Sequence, residues 1–534
     1  MKYVVVVADA MDESGLSELT SRANFEVITT AGDAERLAAE LPRAHALLVR
    51  SATQVTSLLM GIAPNLKVIG RAGIGVDNID VDAATRRGIA VLNAPGANTV
   101  SAAEHTFALL LSLVRRIPWA VEDMRRGGWN RSKFSGTELR GKTMGIVGLG
   151  RIGVHVAGLA RAFGMEIVGH DPYLAESRAR QLGVGLQSID DLVRHADVLT
   201  FHAPLTDATR HILNRQRIAR LKPSAIVINT ARGPLIDVAA LVDALNEGRV
   251  AGAAMDVFDF EPLDESSPLR TTERLILTPH LAASTSEAQE RVALEIARAT
   301  RRALETGEVG GAVNVPGVSN EMLARARVPM ELARRLGRLA CYAAGPTAPS
   351  SVEVSFGGEH DEVARPVMLA AVEGVLQAMA IGRVSLINAT VMAEERNIAL
   401  SRRINRSLAG ASMAIEVKLQ VGDRSVAVVG VPAEGHPGRV IRIDEFMVDL
   451  PAEGCIVILR NKDVPGVVGR VGTVLGESGI NIGFYHQSRS NASGVALAAI
   501  AVDQKPTPQV LDRLREFPDV HDVHCASLET SAAS

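Results

Sequence analysis

The segment that most restricts the fold of this 534-residue chain is an apolar run, Thr143–Val147, followed at once by three spaced glycines. These are Gly148, Gly150 and Gly153, and a helical pattern begins beside them and continues to Phe163. The first glycine permits a tight turn, the second lets a ligand approach the backbone closely, and the third lets the helix pack against the strand. The pattern therefore predicts a strand–turn–helix unit whose helix N-terminus offers free N–H groups to an anion.

A carboxylate follows where the next strand of such a unit would end: Asp171 comes 18 residues after Gly153. A carboxylate at this place accepts hydrogen bonds from ribose hydroxyls and repels a 2′-phosphate, so NAD is favoured over NADP as the ligand. Because the chain contains 47 glycines, the glycine pattern alone could mark an ordinary turn. The strand, the helix and the acid together favour a dinucleotide site.

Apolar segments of strand length alternate with helical segments over residues 1–283, which is typical of parallel sheets crossed by helices. The expected strands of a first sheet are Tyr3–Ala8, Ala46–Val49, Lys67–Gly70 and Ala90–Asn93, and those of a second are Thr143–Val147, Glu166–His170, Val198–His202, Ala225–Asn229, Ala253–Val257 and Leu275–Thr278. A long helix is expected from Val100 to about Met124, and another over Ser284–Leu304. We predict two doubly wound parallel-sheet domains of the α/β class.

The sequence changes in character beyond Gly317. A pair of helices is expected over about Met322–Ala344, and alternating apolar and polar residues predict β-structure in Ser351–Phe356, Ala414–Val421, Ser425–Val431 and Arg439–Leu450. Residues 455–528 are predicted as strand, helix, strand, strand, helix, strand, which is the ferredoxin-like βαββαβ order. An α+β domain and a ferredoxin-like domain are therefore expected to follow the two α/β domains.

Composition excludes several classes of function. The net charge of −3 gives no general attraction to nucleic acid, and the chain lacks the apolar run of about 18 residues that a membrane span needs. The three cysteines, Cys341, Cys455 and Cys525, do not have the spacing of a metal site or a disulfide framework. We expect a cytoplasmic protein with no metal, no nucleic-acid partner and no membrane contact.

Polar residues follow three of the later strands, at the sheet edge where open α/β folds bind ligands. His280 is suited to act as a base, since imidazole alone has an unperturbed pKa near neutral pH. Glu261 would orient that imidazole and favour its protonated form, and Arg232 would bind a carboxylate with its forked guanidinium. Each could singly be an ordinary surface, loop or strand-end residue. Together they predict a site that oxidises a hydroxy acid.

Four ordered motifs resemble those of the D-isomer-specific 2-hydroxyacid dehydrogenase family: GLGRIG at 148–153, NTARG at 229–233, DVF to EP at 256–262 and TPH at 278–280. The resemblance covers essentially the whole chain and is greatest to the long members, which oxidise 3-phospho-D-glycerate on the route to serine. It implies a substrate-binding domain over residues 1–98 and 284–318, an NAD-binding Rossmann domain over 99–283, an intervening domain over 319–452 and an ACT domain over 453–529.

The resemblance also implies which residues bind the ligands, with Arg232, Glu261 and His280 as the catalytic set. Cofactor contacts are implied for Gly148, Gly150, Arg151, Ile152, Gly153, Asp171, Ala203, Thr230, Ala231, Arg232, Asp256, His280, Leu281, Ala282 and Ala283, with Asp256 at the nicotinamide carboxamide. Two loops, 50–53 and 71–77, are expected to hold the substrate's carboxylate and phosphate. The implied substrate residues are Arg50, Ser51, Gly73, Ile74, Gly75 and Lys133, where Lys133 either reaches a neighbouring subunit's site or is a solvated lysine.

The ACT-like segment implies an amino-acid effector, with L-serine expected, bound by Asp463 and Asn481 at a joint between subunits. Both residues could instead be ordinary turn or cap residues. Asn461 stands where some relatives have an aromatic residue, which leaves serine affinity open. The intervening segment implies an anionic effector, for which Arg439 and Arg442 are weak candidates. A homotetramer is the assembly that the resemblance implies.

Two other functions remain open from the sequence. The chain could be another D-2-hydroxyacid dehydrogenase that reduces hydroxypyruvate, glyoxylate or 2-oxoglutarate. It could also be an NAD-sensing, corepressor-like binding protein, although the ACT-like segment disfavours this.

Overall fold

The computed structural model describes residues 2–357, 361–405, 408, 413–490 and 494–529. Their strands form four sheets, of which the first two are parallel, the third is mixed and the fourth is antiparallel. This confirms the predicted α/β class with two further domains. Within these residues, no helix combines the length and the apolar character needed to cross a membrane.

The first sheet has five parallel strands in the order β2-β1-β3-β4-β5. They are β1 Tyr3–Val7, β2 Phe25–Thr29, β3 Ala46–Val49, β4 Val68–Arg71 and β5 Ala90–Asn93, with helices α1 Ser17–Thr20, α2 Ala34–Glu40, α3 Ser57–Gly61 and α4 Val81–Arg86 between them. The sequence did not predict β2. This edge strand is only partly buried, so its residues lack the continuous apolar run of the central strands.

The second sheet has seven parallel strands in the order β12-β11-β10-β9-β6-β7-β8. They are β6 Thr143–Val147, β7 Glu166–His170, β8 Gly185–Leu186, β9 Val198–Phe201, β10 Ile226–Asn229, β11 Gly252–Met255 and β12 Leu275–Leu277. The accompanying helices are α5 Thr99–Val114, α6 Ile117–Arg125, α7 Arg151–Ala162, α8 Glu176–Gln181, α9 Ile189–His195, α10 Arg215–Ile218 and α11 Val238–Asn246. The prediction of one helix from Val100 to Met124 was wrong, because Arg116 adopts a left-handed conformation (φ 53°) before Pro118 and separates α5 from α6.

After β12 the chain returns to the first sheet through α12, Ser286–Thr306. This helix packs directly on β4, because Gly70 has no side chain there. A Cβ at Gly70 would lie 2.9 Å from the Ile296 side chain and 3.0 Å from the Thr300 hydroxyl. The return places the carboxyl ends of both parallel sheets around one cleft.

The third sheet has the order β14-β13-β15-β16-β17-β18. Its strands are β13 Ser351–Phe356, β14 Ala399–Ile404, β15 Ile415–Val421, β16 Arg424–Ala433, β17 His436–Ile443 and β18 Phe446–Pro451, with helices α13 Asn320–Ala344, α14 Asp361–Ala378 and α15 Ala389–Glu394. The expected pair of helices over 322–344 is in fact the single helix α13, with Pro329 buried inside it. The segment Arg439–Leu450 contains two strands, since the chain reverses at Asp444, whose φ is 52°.

The fourth sheet is antiparallel, with the order β20-β21-β19-β22. Its elements are β19 Cys455–Lys462, α16 Val467–Glu477, β20 Ile482–Arg489, β21 Val495–Val502, α17 Pro508–Arg515 and β22 Val520–Ser527. The predicted βαββαβ order is thereby confirmed.

The buried apolar side chains do not divide evenly among the four sheets. One contiguous cluster includes Val68 of the first sheet, Ile296 of α12, Leu336 of α13 and Ile458 of the fourth sheet. The second sheet has two separate clusters of its own, one against each face. The cleft therefore lies between a cofactor-type sheet with independent cores and a body whose core continues to the C-terminal sheet.

Candidate active site

A cavity of about 1130 Å³ lies between the first two sheets. Its walls come from the loops that follow β3, β4, β9 and β10 and from the turn that follows β12. Those loops leave the carboxyl ends of parallel strands, which is where open α/β sheets bind ligands. Arg232, Glu261 and His280 all line this one cavity.

His280 and Glu261 form a hydrogen-bonded pair, with His280 Nδ1 2.7 Å from Glu261 Oε2. The other carboxylate oxygen accepts the Phe258 N–H at 3.0 Å. Burial alone would raise the pKa of Glu261, but hydrogen bonds from His280 and Phe258, with the charges of His280 and Arg232, hold that pKa below its usual range. Glu261 is therefore ionised at neutral pH, and its carboxylate accepts a hydrogen bond from the Nδ1–H of His280. The proton of the neutral ring is then on Nδ1, and Nε2 is the nitrogen that can accept a proton.

Arg232 is placed by the residues around it. Asn229 is fully buried; its side-chain N–H donates to the Arg232 carbonyl (2.8 Å) and its side-chain oxygen accepts the Ala231 N–H (3.1 Å). The guanidinium Nε donates to Asp77 Oδ2 at 2.9 Å. A Cβ at Gly75 would lie 1.7 Å from an Arg232 Nη, so the guanidinium packs against this glycine. The motif residues thus bring Arg232 from the second sheet onto the loop that follows β4.

Arg71 adds a partly buried cation in a loop that the sequence marked as a candidate without singling out this residue. Its Nε has no hydrogen-bond partner among the described residues, and one Nη donates a long bond, 3.4 Å, to the Ala72 carbonyl. Burial, reinforced by the positive charges of Arg232 and Arg50, lowers the pKa of Arg71 to about 10. In the part of the chain that the structure describes, Asp77 pairs with Arg232, whereas Arg50 and Arg71 form no ion pair, so this part of the cavity suits an anion. The signal available in the sequence was the strand end itself, since Arg71 is the last residue of β4.

The glycine turn fits a dinucleotide. Gly148 has φ 91°, and a Cβ there would lie 2.7 Å from the backbone of His202 and Ala203, while a Cβ at Gly153 would lie 2.0 Å from the Gly148 carbonyl. Beside Gly150, in contrast, the space is open, and no side chain caps the N-terminus of α7. A pyrophosphate therefore has both room and free N–H donors there.

Asp171 helps to hold that turn while keeping a partly exposed carboxylate. Its two oxygens accept the N–H groups of Leu149 (2.9 Å) and Tyr173 (3.0 Å). The carboxylate thus stands beside the glycine turn, where a ribose would follow the pyrophosphate.

The predicted ligand residues divide into those that line the cavity and those that do not. The first group is Arg50, Ser51, Gly73, Ile74, Gly75, Arg151, Ile152, Ala203, Thr230, Ala231, Arg232, Glu261, His280, Ala282 and Ala283. The second group is Gly148, Gly150, Gly153, Asp171, Leu281, Asp256 and Lys133. Asp256 is fully buried behind the His280 turn. Lys133 is exposed, with its Nζ 3.5 Å from Asp123 Oδ1.

Comparison with known proteins identifies the arrangement. Residues 107–282 match the NAD binding domain of the D-isomer specific 2-hydroxyacid dehydrogenases. Residues 327–444 match the D-3-phosphoglycerate dehydrogenase intervening domain, and residues 456–519 match the ACT domain. The D-3-phosphoglycerate dehydrogenase of Bacillus subtilis is 38% identical over 529 residues, which are 98% of this chain and 100% of that protein. The chain belongs to the D-3-phosphoglycerate dehydrogenase family.

Other members of the D-3-phosphoglycerate dehydrogenase family match at similar levels. The Mycobacterium tuberculosis protein is 39% identical over 98% of this chain and 99% of its own length. The Synechocystis protein is 37% identical over 98% of this chain and 94% of its own length. The predicted membership and the predicted NAD cofactor are confirmed, and the chain is an NAD-dependent oxidoreductase.

Solved structures cover the catalytic half of this D-3-phosphoglycerate dehydrogenase family member. An NAD-dependent formate dehydrogenase from Staphylococcus aureus in complex with NAD is 31% identical, with a TM-score of 0.51 over 57% of this chain and 96% of that one. A Thermus thermophilus protein is 36% identical, with a TM-score of 0.52 over 57% of this chain and 97% of that one. Both similarities support the two-sheet architecture around the cleft.

The predicted effector residues lie in the ACT region, where the structure gives each a partner. Asp463 Oδ1 lies 3.3 Å from Arg489 Nε, and the Asn481 side chain donates to Asp503 at 2.9 Å. Arg439 and Arg442 are also paired, with Asp449 and Glu416 respectively. These side chains are therefore not free in the single chain.

Proposed function

We propose that the cleft catalyses oxidation of 3-phospho-D-glycerate by NAD⁺ to 3-phosphohydroxypyruvate, NADH and a proton, as the first step of serine synthesis. The observation that carries the proposal is the His280–Glu261 pair in one cavity with Arg232, whose guanidinium lies near those of Arg71 and Arg50. A base, a carboxylate-binding cation and a phosphate-binding cation are the groups that a phosphorylated 2-hydroxy acid requires.

In this proposal, Arg232 binds the substrate carboxylate and draws charge from the reacting oxygen. His280 Nε2 accepts the proton of the C2 hydroxyl, and the ionised Glu261 stabilises the imidazolium that forms. Asp77 holds the Arg232 guanidinium in place through the 2.9 Å bond to Nε. Bound at the glycine turn, NAD would supply the acceptor for the hydride that leaves C2. In the reverse direction, His280 returns its proton to the oxygen.

The phosphate is proposed to bind at the Arg71 end of the cavity. Arg50 and Ser51 line the wall beside it; the Gly73 N–H donates to the Arg71 carbonyl at 2.8 Å, so the N–H groups of Ile74 and Gly75 are the proposed backbone donors. The unpartnered Nε of Arg71 supports this assignment, since a buried donor with no protein partner favours a ligand acceptor.

The cofactor is proposed to extend from the Gly148–Gly153 turn toward His280. Asp171 would accept the ribose hydroxyls, and Arg151 and Ile152 would contact the pyrophosphate. Thr230 and Ala203 line the wall between the two ends. Asp256 stays a predicted carboxamide contact, and Leu281 stays a predicted contact of the cofactor.

The proposal is tested by initial rates of NADH oxidation with a panel of 2-oxo acids. Phosphohydroxypyruvate is expected to give the highest kcat/KM, ahead of hydroxypyruvate, glyoxylate and 2-oxoglutarate. A clear preference for an unphosphorylated acid would contradict the substrate assignment. Absence of turnover with every acid, together with tight NADH binding, would instead support a binding protein that senses NADH.

Regulation by L-serine is part of the proposal and rests on the ACT match together with the placement of Asp463 and Asn481 at the ends of strands. Serine is expected to lower the rate. The proposed serine site lies where two ACT sheets meet, as the resemblance implies, and a ligand there would compete with Arg489 for Asp463 and with Asp503 for Asn481.

A homotetramer is also proposed, supported by apolar residues exposed in the single chain. The α6 region exposes Ile117, Val121, Met124 and Trp129, the last at 77%. Apolar patches rimmed by charge favour contact with another protein surface. Light scattering should give a mass near four chains, and Trp129→Glu should reduce that mass.

A cytoplasmic location completes the proposal. Cys341, Cys455 and Cys525 are free thiols, which is usual in a reducing compartment. Cell fractionation with an NADH-linked assay of each fraction tests this location.

A further inference from the structure

The turn Thr278–Ala283, which carries His280, is held from behind by Asp256. The Asp256 side chain accepts hydrogen bonds from the Thr278 hydroxyl (2.5 Å) and from the N–H groups of Leu281 (2.7 Å) and Ala282 (2.9 Å). Its backbone carbonyl accepts the His280 N–H at 2.9 Å. One fully buried residue thereby fixes four positions of the turn.

His105 of α5 reaches the same group of atoms. Its Nε2 lies 3.2 Å from Asp256 Oδ1 and 3.2 Å from the Thr278 hydroxyl oxygen. Burial would raise the pKa of Asp256, but the hydrogen bonds from His105, Thr278 and the turn amides outweigh it and lower that pKa. Since Asp256 is ionised and Thr278 gives its only hydroxyl proton to Asp256, both oxygens accept from His105. The Nε2 of His105 therefore carries a proton and donates to both.

A second side chain of α5 contacts the turn. Ser101, which is buried, donates its hydroxyl proton to the Ala282 carbonyl at 2.7 Å. Ser101 and His105 are four residues apart, so they lie on one face of the helix. The helix thus presents two polar side chains to the segment that carries His280.

The backbone conformation of His280 explains why the turn needs this support. Its φ is 55°, in the left-handed region that is uncommon for residues other than glycine, although histidine, asparagine and aspartate enter it more often than most. Such a conformation persists where the surrounding structure holds it. If the turn relaxed, the imidazole would leave the position in which Nδ1 lies 2.7 Å from Glu261.

We propose that His105 is a positioning residue for His280: acting through Asp256 and Thr278, it holds the left-handed turn that keeps the imidazole paired with Glu261 and directed at the substrate. The inference rests on the proposed role of His280 as the base. His105 itself contacts neither reacting atom.

The test compares three variants with the parent enzyme. His105→Leu removes the donor, His105→Gln keeps a side-chain N–H of similar reach, and His195→Leu is a matched control at an exposed histidine of α9. With phosphohydroxypyruvate and NADH, His105→Leu should lower kcat about 10- to 100-fold, as misplacement of a catalytic group does. The dissociation constant of NADH, from its fluorescence, should change much less than kcat, because the glycine turn at 148–153 is untouched. His105→Gln should recover most of kcat, and His195→Leu should match the parent.

A double variant separates positioning from general damage. In a His280→Ala background, measured in single turnovers, His105→Leu should cause no further loss, because its effect passes through the imidazole. An unchanged kcat in His105→Leu overturns the inference, and so does an equal loss in both backgrounds.

Two further outcomes have their own interpretation: a His105→Leu variant that does not fold, and a His280→Ala variant that stays active. If His105→Leu does not fold, Ser101→Ala replaces it, and its smaller loss of kcat should likewise disappear in the His280→Ala background; a loss that persists there overturns the inference. If His280→Ala alone keeps the parental kcat, the proposed base is wrong, which is a different result from activity retained only in the His105 variants.

Discussion

In the cleft, Arg232, Glu261 and His280 meet around one cavity, whereas in the ACT region Asp463 and Asn481 are each occupied by a residue of their own chain. The partner residues in the two regions also have different effects on the groups they contact. Glu261 orients His280 and Asp77 holds Arg232, and both functional groups still face the cavity. In the ACT region, Arg489 takes up the carboxylate that a ligand's ammonium group would need. The predicted catalytic residues therefore meet within one chain, whereas the proposed effector site depends on rearrangement or on a second chain.

The strongest test of the cleft side of this comparison is His280→Ala. Removal of a general base typically lowers the rate by about 10²- to 10⁴-fold, and this loss is expected in kcat with phosphohydroxypyruvate. NADH should still bind, because the glycine turn at 148–153 is untouched, and fluorescence titration measures this. Near-parental turnover of this variant would show that His280 is not the base, and the comparison of a catalytic cleft with the ACT region would then fail.

Arg71→Met should have the next largest effect. The kcat/KM for phosphohydroxypyruvate should fall about 10- to 100-fold, as loss of a charge-assisted hydrogen bond predicts, while that for unphosphorylated hydroxypyruvate changes little. The thermal midpoint should rise, because the change removes a partly buried cation that lies near Arg232 and Arg50 and whose Nε has no hydrogen-bond partner among the described residues. Arg87→Met, at an exposed arginine of the same sheet domain, should alter neither quantity. Equal losses with both acids would assign Arg71 to the shared carboxylate instead.

Asp171→Asn should change the choice of cofactor by a smaller factor. The amide keeps an oxygen for the Leu149 N–H but loses the charge that repels a 2′-phosphate. The ratio of kcat/KM for NAD to that for NADP is expected to fall about 10-fold. Initial rates with both cofactors measure this ratio, and an unchanged ratio would show that NAD preference comes from elsewhere in the pocket.

The sequence predicted the parallel sheets well because their strands are buried on both faces and are therefore continuous apolar runs. Strands such as β6 and β9 needed no further context. The sequence did not predict β14, whose residues are mostly exposed and include Arg402 and Arg403, because an edge strand carries little hydrophobic pattern. It also predicted two helices where α13 is one, since packing on α14 and the adjacent sheet outweighs the cost of Pro329.

The candidate site, too, could be predicted only where the local sequence pattern carries the information. Arg232, Glu261 and His280 could be predicted as a set because their motifs follow three strands of one parallel sheet, whose carboxyl ends meet at one edge. Arg71 and His105 could not be assigned in this way, since their importance comes from burial and from atoms far along the chain. His105 and Asp256 are 151 residues apart, and only the fold brings them together.

The smallest expected effect belongs to the ACT region. Asp463→Ala should leave kcat without serine unchanged and should abolish inhibition by serine. Arg489→Ala, which frees the same carboxylate, should strengthen inhibition up to about fivefold, because an exposed ion pair contributes about 0–1 kcal/mol. Dose–response curves with both variants test this, and identical curves for all three proteins would remove Asp463 from the effector site. Point changes suit this test better than removal of residues 453–534, which would expose Ile458 and its neighbours in the shared core.

The order of buried cores does not follow the order of domains along the chain. One apolar cluster joins the first, third and fourth sheets, although the first and fourth sheets each have a further cluster on the other face, while the sheet that carries the glycine turn has two clusters of its own. Elements that share a core unfold cooperatively. Calorimetry should therefore resolve two melting units, with NADH raising the midpoint of the cofactor unit. The regulatory third of the chain would then melt with the substrate-binding sheet, so a destabilising change near Ile458 should weaken substrate binding before it affects the affinity for NADH.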